Sequence, residues 1–307
     1  MTRLSASPDV VTLGEAMAVL FDTGGRRLEH LSSLDVDVAG SELNVAIGLR
    51  RLGHATAWIG RVGDDAFGRR IEHTLRGEGV DVSRVVRDSR PTGALVKEQV
   101  GAGAVRVAYL RTASAGSRVS AADLPADFAG VRLVHLSGIT PAISQSAAAA
   151  VRRTVELTRD AGATLSFDVN YRAALWPDQE AARHAMSGIA QEADIVFASE
   201  SELALVAGVE PAELVVTRGS AGASVTIAGE TCTADAVATT VRDTLGAGDA
   251  FVSGYLSAWL DGLAPQERLE RGVRVGAFAV ASHSDWQGLP TRSELALLGL
   301  DGDTALR

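Results

Sequence analysis

Short apolar runs closed by glycine or aspartate alternate along this chain with stretches whose apolar residues recur at helical spacing, and this alternation restricts the fold more than any other feature. Val10–Leu13, ended by Gly14-Glu15, reads as a buried first strand. A helix is expected from Ser41, with Leu43, Ala46, Ile47 and Leu49 near one face, Ser41 as its N-cap and Gly53 as its stop. The cycle continues with a strand Ala55–Gly60, a helix from Ala66 to about Gly77, a strand Val131–Ser137 and a helix Gln145–Ala161. It closes with a strand Thr164–Val169, a helix Gln179–Glu192 and a strand Asp194–Ala198. Such a succession with short joints predicts an α/β fold, a doubly wound, mostly parallel sheet flanked by helices.

Two segments break the rhythm. Thr92–Gln99 and Val105–Arg111 read as extended strands around Gly101-Ala102-Gly103 with no helix between them, so they predict an antiparallel hairpin. Set into an α/β frame, such a hairpin is a candidate lid; taken alone it is an edge hairpin with Lys97, Arg106 and Arg111 in solvent. At 307 residues and 46% hydrophobic content, the chain has enough apolar surface for one large α/β domain. Its formal net charge of -9, without a basic run, argues against general nucleic-acid binding. Cys232 is the single cysteine, so an internal disulfide and a thiolate metal cluster are both excluded. The first eight residues lack the apolar core of a signal peptide and no run approaches the length of a membrane span, so a soluble cytoplasmic protein is expected.

Chemistry concentrates at 243–251, Asp-Thr-Leu-Gly-Ala-Gly-Asp-Ala-Phe. Gly246 and Gly248 allow a tight turn that exposes backbone N–H groups, and the apolar helix that follows points its positive end at the same place. That is an anion hole. Asp249 beside it is an acceptor when ionised, and fits a base that takes a proton from a group attacking the bound anion, as in phosphoryl transfer to a hydroxyl. Read by itself, the stretch also fits a plain helix start with Asp249 as a dipole-favoured carboxylate. In a doubly wound fold, sites lie beyond the carboxyl ends of the strands, and three more polar clusters fall there: Ala39–Asn44, Asp168–Arg172 and Thr217–Gly222.

With these residues the chain resembles the ribokinase-like (PfkB) carbohydrate kinases from Val10 to about Pro290. The resemblance rests on 243–251 and on Gly40 through Gly53 with Gly60-Arg61-Val62-Gly63-Asp64-Asp65-Ala66-Phe67-Gly68. Within that family it is most similar to the 2-keto-3-deoxygluconate kinases, through Tyr109–Ala115, Phe167–Arg172 and Asp285–Pro290. The resemblance implies one kinase domain over 1–307 with lid strands inserted at about 15–39 and 92–112. It implies Asp249 as catalytic base, with the backbone of Gly246, Ala247 and Gly248 as the phosphate hole. A sugar acid would meet Gly40, Asn44, Tyr109, Arg111, Arg172 and Asp285. Asn170, the loop Arg218, Gly219, Ser220, Ala221, Gly222 and Ala223, and Val273 and Gly276 would line the ATP site. Mg2+ would be held by ATP and water with Glu202 in its outer shell, and a K+ site of the family, supplied by backbone carbonyls, would lie beside Asp243. Arginine forks suit a carboxylate better than a neutral sugar. Lid hairpins of this kind can pair across two copies, so a homodimer through the lid is expected.

The chain departs from the family pattern at three points. Ser199 begins Ser199-Glu200-Ser201-Glu202 where many relatives carry Asn, Leu95 stands where keto-acid kinases can offer a tyrosine, and Glu15 replaces a frequent Asp. A neutral-sugar kinase such as a fructokinase, or a catalytically silent sugar or nucleotide sensor, is the alternative. A dinucleotide oxidoreductase is disfavoured, since no Gly-x-Gly-x-x-Gly turn follows Val10–Leu13.

Overall fold

The computed structural model describes residues 8–22, 24, 26–100, 105–282 and 284–298. Its strands are β1 (Val10–Leu13), β2 (Met17–Phe21), β3 (Asp35–Ala39), β4 (Thr56–Gly63), β5 (Val85–Asp88), β6 (Ala94–Gln99), β7 (Val105–Leu110), β8 (Leu133–Ser137), β9 (Thr164–Asp168), β10 (Ile195–Ser199), β11 (Glu213–Thr217), β12 (Ala223–Ile227) and β13 (Glu230–Ala234). Its helices are α1 (Ser41–Arg51), α2 (Ala66–Gly77), the single turn α3 (Thr140–Ile143), α4 (Gln145–Asp160), α5 (Gln179–Ala190), α6 (Ala247–Leu260) and α7 (Pro265–Val280).

Among the described residues the main sheet has the order β13-β12-β11-β10-β9-β8-β1-β4-β5. It is parallel from β11 to β5, and only β12 and β13 run antiparallel, at one edge. Period-two alternation explains why both faces are covered. Along β10, Ile195 and Phe197 pack with Phe251, Val252, Tyr255 and Leu256 of α6, while Val196 and Ala198 pack with the α4 and α5 side around Val151, Leu157, Ala182 and Met186. α6 is buried nearly all round because α1 and α7 also pack on it. Strand order reverses at β1, which lies between β4 and β8, and this switch opens a crevice at the carboxyl ends of the strands.

A second sheet, ordered β3-β2-β6-β7, stands over that crevice. The hairpin β6–β7 is therefore not an isolated decoration: β6 runs parallel to β2 and joins the strand pair β2–β3. Met17, Val19, Ala39 and Leu95 form its buried face. β7 is its outer strand, with Val105, Tyr109 and Leu110 exposed. The turn Gly101-Ala102-Gly103 lies outside the described residues. No helix among the described residues is long and apolar enough to cross a membrane.

The sequence places most elements within a few residues. The strand expected to stop at Gly60 continues to Gly63, where β5 pairs with it. The start of α1 differs in a way that matters for chemistry. Gly40, not Ser41, is the N-cap residue, and the Ser41 hydroxyl is free to point elsewhere. A side chain at Gly40 would meet Glu15 O at 2.4 Å, so the chain passes there as backbone alone.

Candidate active site

Two cavities meet at Asp249. The first, about 90 Å³, lies under the lid and is lined by Glu15, Gly40, Asn44, Lys97, Arg111 and Asp285 among others. The second, about 250 Å³ and more open, runs along the strand ends past Asp168, Ser199, Glu202, Thr217 and Gly248. Asn170, Arg172, Leu245, Gly246 and Asp249 belong to both.

Asp249 is 8% exposed and sits in the first turn of α6. Its Oδ1 accepts a hydrogen bond from Ser41 Oγ at 2.7 Å and its Oδ2 one from Asn44 Nδ2 at 2.8 Å. Ser41 and Asn44 are three apart on α1 and so share a face. Asn170 Nδ2 donates to Ser41 Oγ at 2.9 Å and extends the chain of donors. Burial pushes the Asp249 carboxyl up to about 6, against the pull of Asn44 and Ser41. A carboxylate so poised is ionised at neutral pH yet basic enough to take a proton. Asn170 holds φ of 38°, the left-handed region that asparagine tolerates better than most residues.

The turn before α6 brings glycine backbone to the wall of the second cavity. Gly246 has φ of 76°, and a Cβ there would come within 2.5 Å of Asp285 O, so backbone packs directly on backbone. The first-turn N–H groups of a helix have no intrahelical acceptor. Gly246 and Gly248 line the second cavity, whereas Ala247 N–H turns back to Thr244 O at 3.3 Å.

Three cations line the first cavity, and the structure separates them. Arg111 Nη2 donates to Glu15, whose other oxygen accepts from Ser114 Oγ at 2.5 Å. Tyr109 lies with its ring centroid 5.8 Å from the Arg111 guanidinium. Lys97 Nζ lies 2.5 Å from Asp285 Oδ1 and 3.4 Å from Asp243 Oδ2. Arg172 is exposed, donates to Tyr171 O at 3.2 Å and makes no ion pair recorded among the described residues. Arg111 and Arg172 thus do not converge as two free forks; one is committed to Glu15.

Of the residues expected around the nucleotide, Asn170 is in the cavity, and Thr217, one position ahead of the Arg218–Ala223 loop, lines it. Arg218 is held by Glu200 Oε1 at 2.8 Å and Ser224 Oγ at 2.9 Å, with Gly219–Ala221 forming a single turn that leads through Gly222 into Ala223 of β12. Val273 lines a separate hollow with Asp235, Val237 and Arg274, and Gly276 stands behind Ala247 O and Phe251.

Glu202 faces the second cavity, but its oxygens are taken: Oε1 accepts from Tyr171 N at 2.7 Å, and Oε2 from Ser199 N at 2.8 Å and Ser199 Oγ at 2.7 Å. Asp168 in the same cavity has no side-chain donor recorded, and burial followed by the charges of Glu202 and Asp249 pushes its carboxyl well above the usual range. A divalent cation there would relieve that stress. The described residues contain no group of three or more metal-ligating side chains, so such an ion would take most of its ligands from phosphate and water.

From sequence alone Ser41 reads as a cap, Lys97 as a solvated charge if the hairpin is taken by itself, and Asp168 as one member of a polar cluster with no role of its own. Lys97 carried a readable signal, since period-two alternation on β6 places it on the face of Leu95.

The model of the pfkB family carbohydrate kinases matches residues 7–292. The 2-dehydro-3-deoxygluconokinase of Bacillus subtilis (strain 168) is 38% identical, over 94% of this chain and 94% of its own. A fructokinase of Escherichia coli is 33% identical, over 94% and 98%. The crystal structure of a PfkB protein from Polaromonas sp. JS666 superposes with a TM-score of 0.85 at 36% identity, over 94% of this chain and 99% of that one. The family match over nearly the whole chain and these relatives show that the chain belongs to the pfkB family of carbohydrate kinases.

Proposed function

We propose that this kinase transfers the γ-phosphoryl group of ATP to the terminal hydroxyl of 2-dehydro-3-deoxy-D-gluconate, giving the 6-phosphate. The observation that carries the reading is Asp249 at the junction of the lidded cavity and the open one. The acceptor hydroxyl donates to Asp249 and loses its proton to it as the oxygen bonds to phosphorus and the bond to the β-phosphate oxygen breaks. Gly246 and Gly248, with the amino end of α6, receive the charge on the transferring group. Mg2+, when bound with ATP, would supply further screening of phosphate charge, and Asp168, a carboxylate lining the open cavity with no side-chain hydrogen-bond donor among the described residues, would meet its water shell. The lid keeps water from Asp249, which limits transfer to water.

An acid substrate is supported by Arg172. Lys97 and Arg111 each pair with a carboxylate, whereas Arg172, which lines the same cavity and whose charge favours the ionised forms of Asp168 and Asp249, forms no ion pair among the described residues and can pair with a ligand. The relative of Bacillus subtilis named for the keto-acid kinase activity is in keeping with this. A neutral sugar is the second reading, favoured by the commitment of Arg111 to Glu15 and by the apolar Leu95 under the lid.

The test is a coupled ADP-release assay over keto-acids, aldonates, fructose and ribose with Mg-ATP. The keto-acid should exceed fructose in kcat/KM by ~10²-fold or more, a gap of the size charge-assisted contacts give. Asp249→Asn should lower turnover by ~10²-fold or more with nucleotide affinity nearly unchanged. Equal rates on fructose would put the neutral-sugar reading in place of the acid one.

A further inference from the structure

Lys97 is 9% exposed on β6, two residues after the buried Leu95 and on the same underside of the lid. An ammonium in such a place is costly unless it is paired, and its partners come from the body of the protein rather than from the lid. Nζ lies 2.5 Å from Asp285 Oδ1 and 3.4 Å from Asp243 Oδ2. Burial alone would lower its pKa, but the charges and hydrogen bonds of Asp285 and Asp243 outweigh burial and hold it above the ordinary lysine value. The group stays charged.

Both partners lead to the phosphate-binding turn. Asp243 Oδ1 accepts the N–H of Leu245 at 2.9 Å, the residue just before Gly246. Asp285 presses its backbone on Gly246 so closely that a methyl group does not fit between them. One ammonium carried by the lid therefore offsets part of the charge of the two carboxylates and joins the two segments that meet at Gly246. Without it, Asp285 would face the negative charges of Asp243 and Asp37 and lose the ammonium that offsets them.

We propose that Lys97 is a positioning residue that couples lid closure to assembly of the Gly246 turn. With the lid down, its ammonium bridges Asp285 and Asp243 and fixes the turn; with the lid raised, the two carboxylates repel and the turn loosens. The chemical step is thereby reserved for the state in which an acceptor is covered. The proposal rests on the phosphoryl-transfer reading above but not on the identity of the acceptor. Its test accordingly uses whichever acceptor the wild-type protein phosphorylates best, and the keto-acid assignment can fail while this proposal stands.

Lys97→Met keeps the apolar stem and removes the charge. It should lower kcat by ~10²-fold while the nucleotide Kd, measured without acceptor, stays within ~2-fold of wild type. Lys97→Ala opens room for a small amine, and propylammonium chloride should restore at least ~5-fold of its lost rate while sodium chloride at equal ionic strength does not. Lys97→Arg, which keeps the charge, should retain more turnover than Lys97→Met. A kcat for Lys97→Met within ~3-fold of wild type would overturn the proposal. So would a folded Lys97→Ala protein that propylammonium does not revive. Should the Met variant fail to fold by circular dichroism, the amine titration of Lys97→Ala decides alone.

Discussion

Ser41 Oγ donates a 2.7 Å hydrogen bond to Asp249 Oδ1 across 208 positions of sequence, so the first residue of α1 orients a carboxylate in the first turn of α6. Asn44, one turn further along α1, holds the other oxygen. These two donors favour the ionised form, and burial opposes them.

The pH dependence of turnover follows from that balance. Burial raises the Asp249 carboxyl to about 6 in the free protein, so kcat/KM should rise with pH through an acid limb near that value and level off above it. Below the limb Asp249 is protonated and cannot accept the hydroxyl proton. Ser41→Ala and Asn44→Ala each remove a group that opposes burial, so both should move the limb to higher pH, Asn44→Ala further. A pH–rate profile for the three proteins checks this, and a limb that stays in place would separate it from Asp249.

Arg111 and Arg172 should fail in different ways when truncated. Arg111→Leu leaves Glu15, 3% exposed, without its cation, and a broken buried pair costs about 3–5 kcal/mol. Arg172→Leu breaks no ion pair recorded among the described residues and should melt close to wild type, yet lose most of the preference for an acid over fructose. Thermal melts set beside the acceptor screen distinguish the two; an unchanged preference in Arg172→Leu would end its role with the carboxylate.

The two carboxylates of the open cavity should also part company. Glu202→Gln disturbs the bonds to Ser199 and Tyr171 and should lower stability by about 1 kcal/mol with little change in the Mg2+ concentration for half-maximal rate. Asp168→Asn should raise that concentration severalfold, because a bound cation would hold the buried Asp168 carboxyl ionised and the amide offers it no charge. Mg2+ titrations of both variants check the contrast, and the reverse order would return the outer-shell role to Glu202.

Gly246→Ala asks an L-residue to adopt φ of 76° against Asp285 O. The conformation alone costs about 1–2 kcal/mol, and the contact adds to it. The turn must shift, so turnover should fall by ~10²-fold or more, as when a preorganised donor is displaced from a transition state. Steady-state rates and a melt of the same preparation measure both effects; normal turnover would show that this turn does not receive the phosphate.

The sequence by itself determined most strands and helices around the parallel sheet and the glycine turn that carries Asp249. Period-two runs such as Ile195–Ser199 and helical runs such as Ala66–Gly77 carry their faces in local spacing, and Gly246-Ala247-Gly248-Asp249 carries its turn, helix start and carboxylate within four positions. Only the tertiary structure decided what each side chain of the site is free to do. Arg111 reads as a fork for a ligand until Glu15 is found against it, Lys97 as a solvated charge until Asp285 and Asp243 meet it, and Ser41 as a cap until Asp249 arrives from the far end of the chain. The reason is physical: a backbone pattern is set by neighbours in sequence, whereas the charge and hydrogen-bonding capacity left to a polar group depend on partners brought in from remote segments.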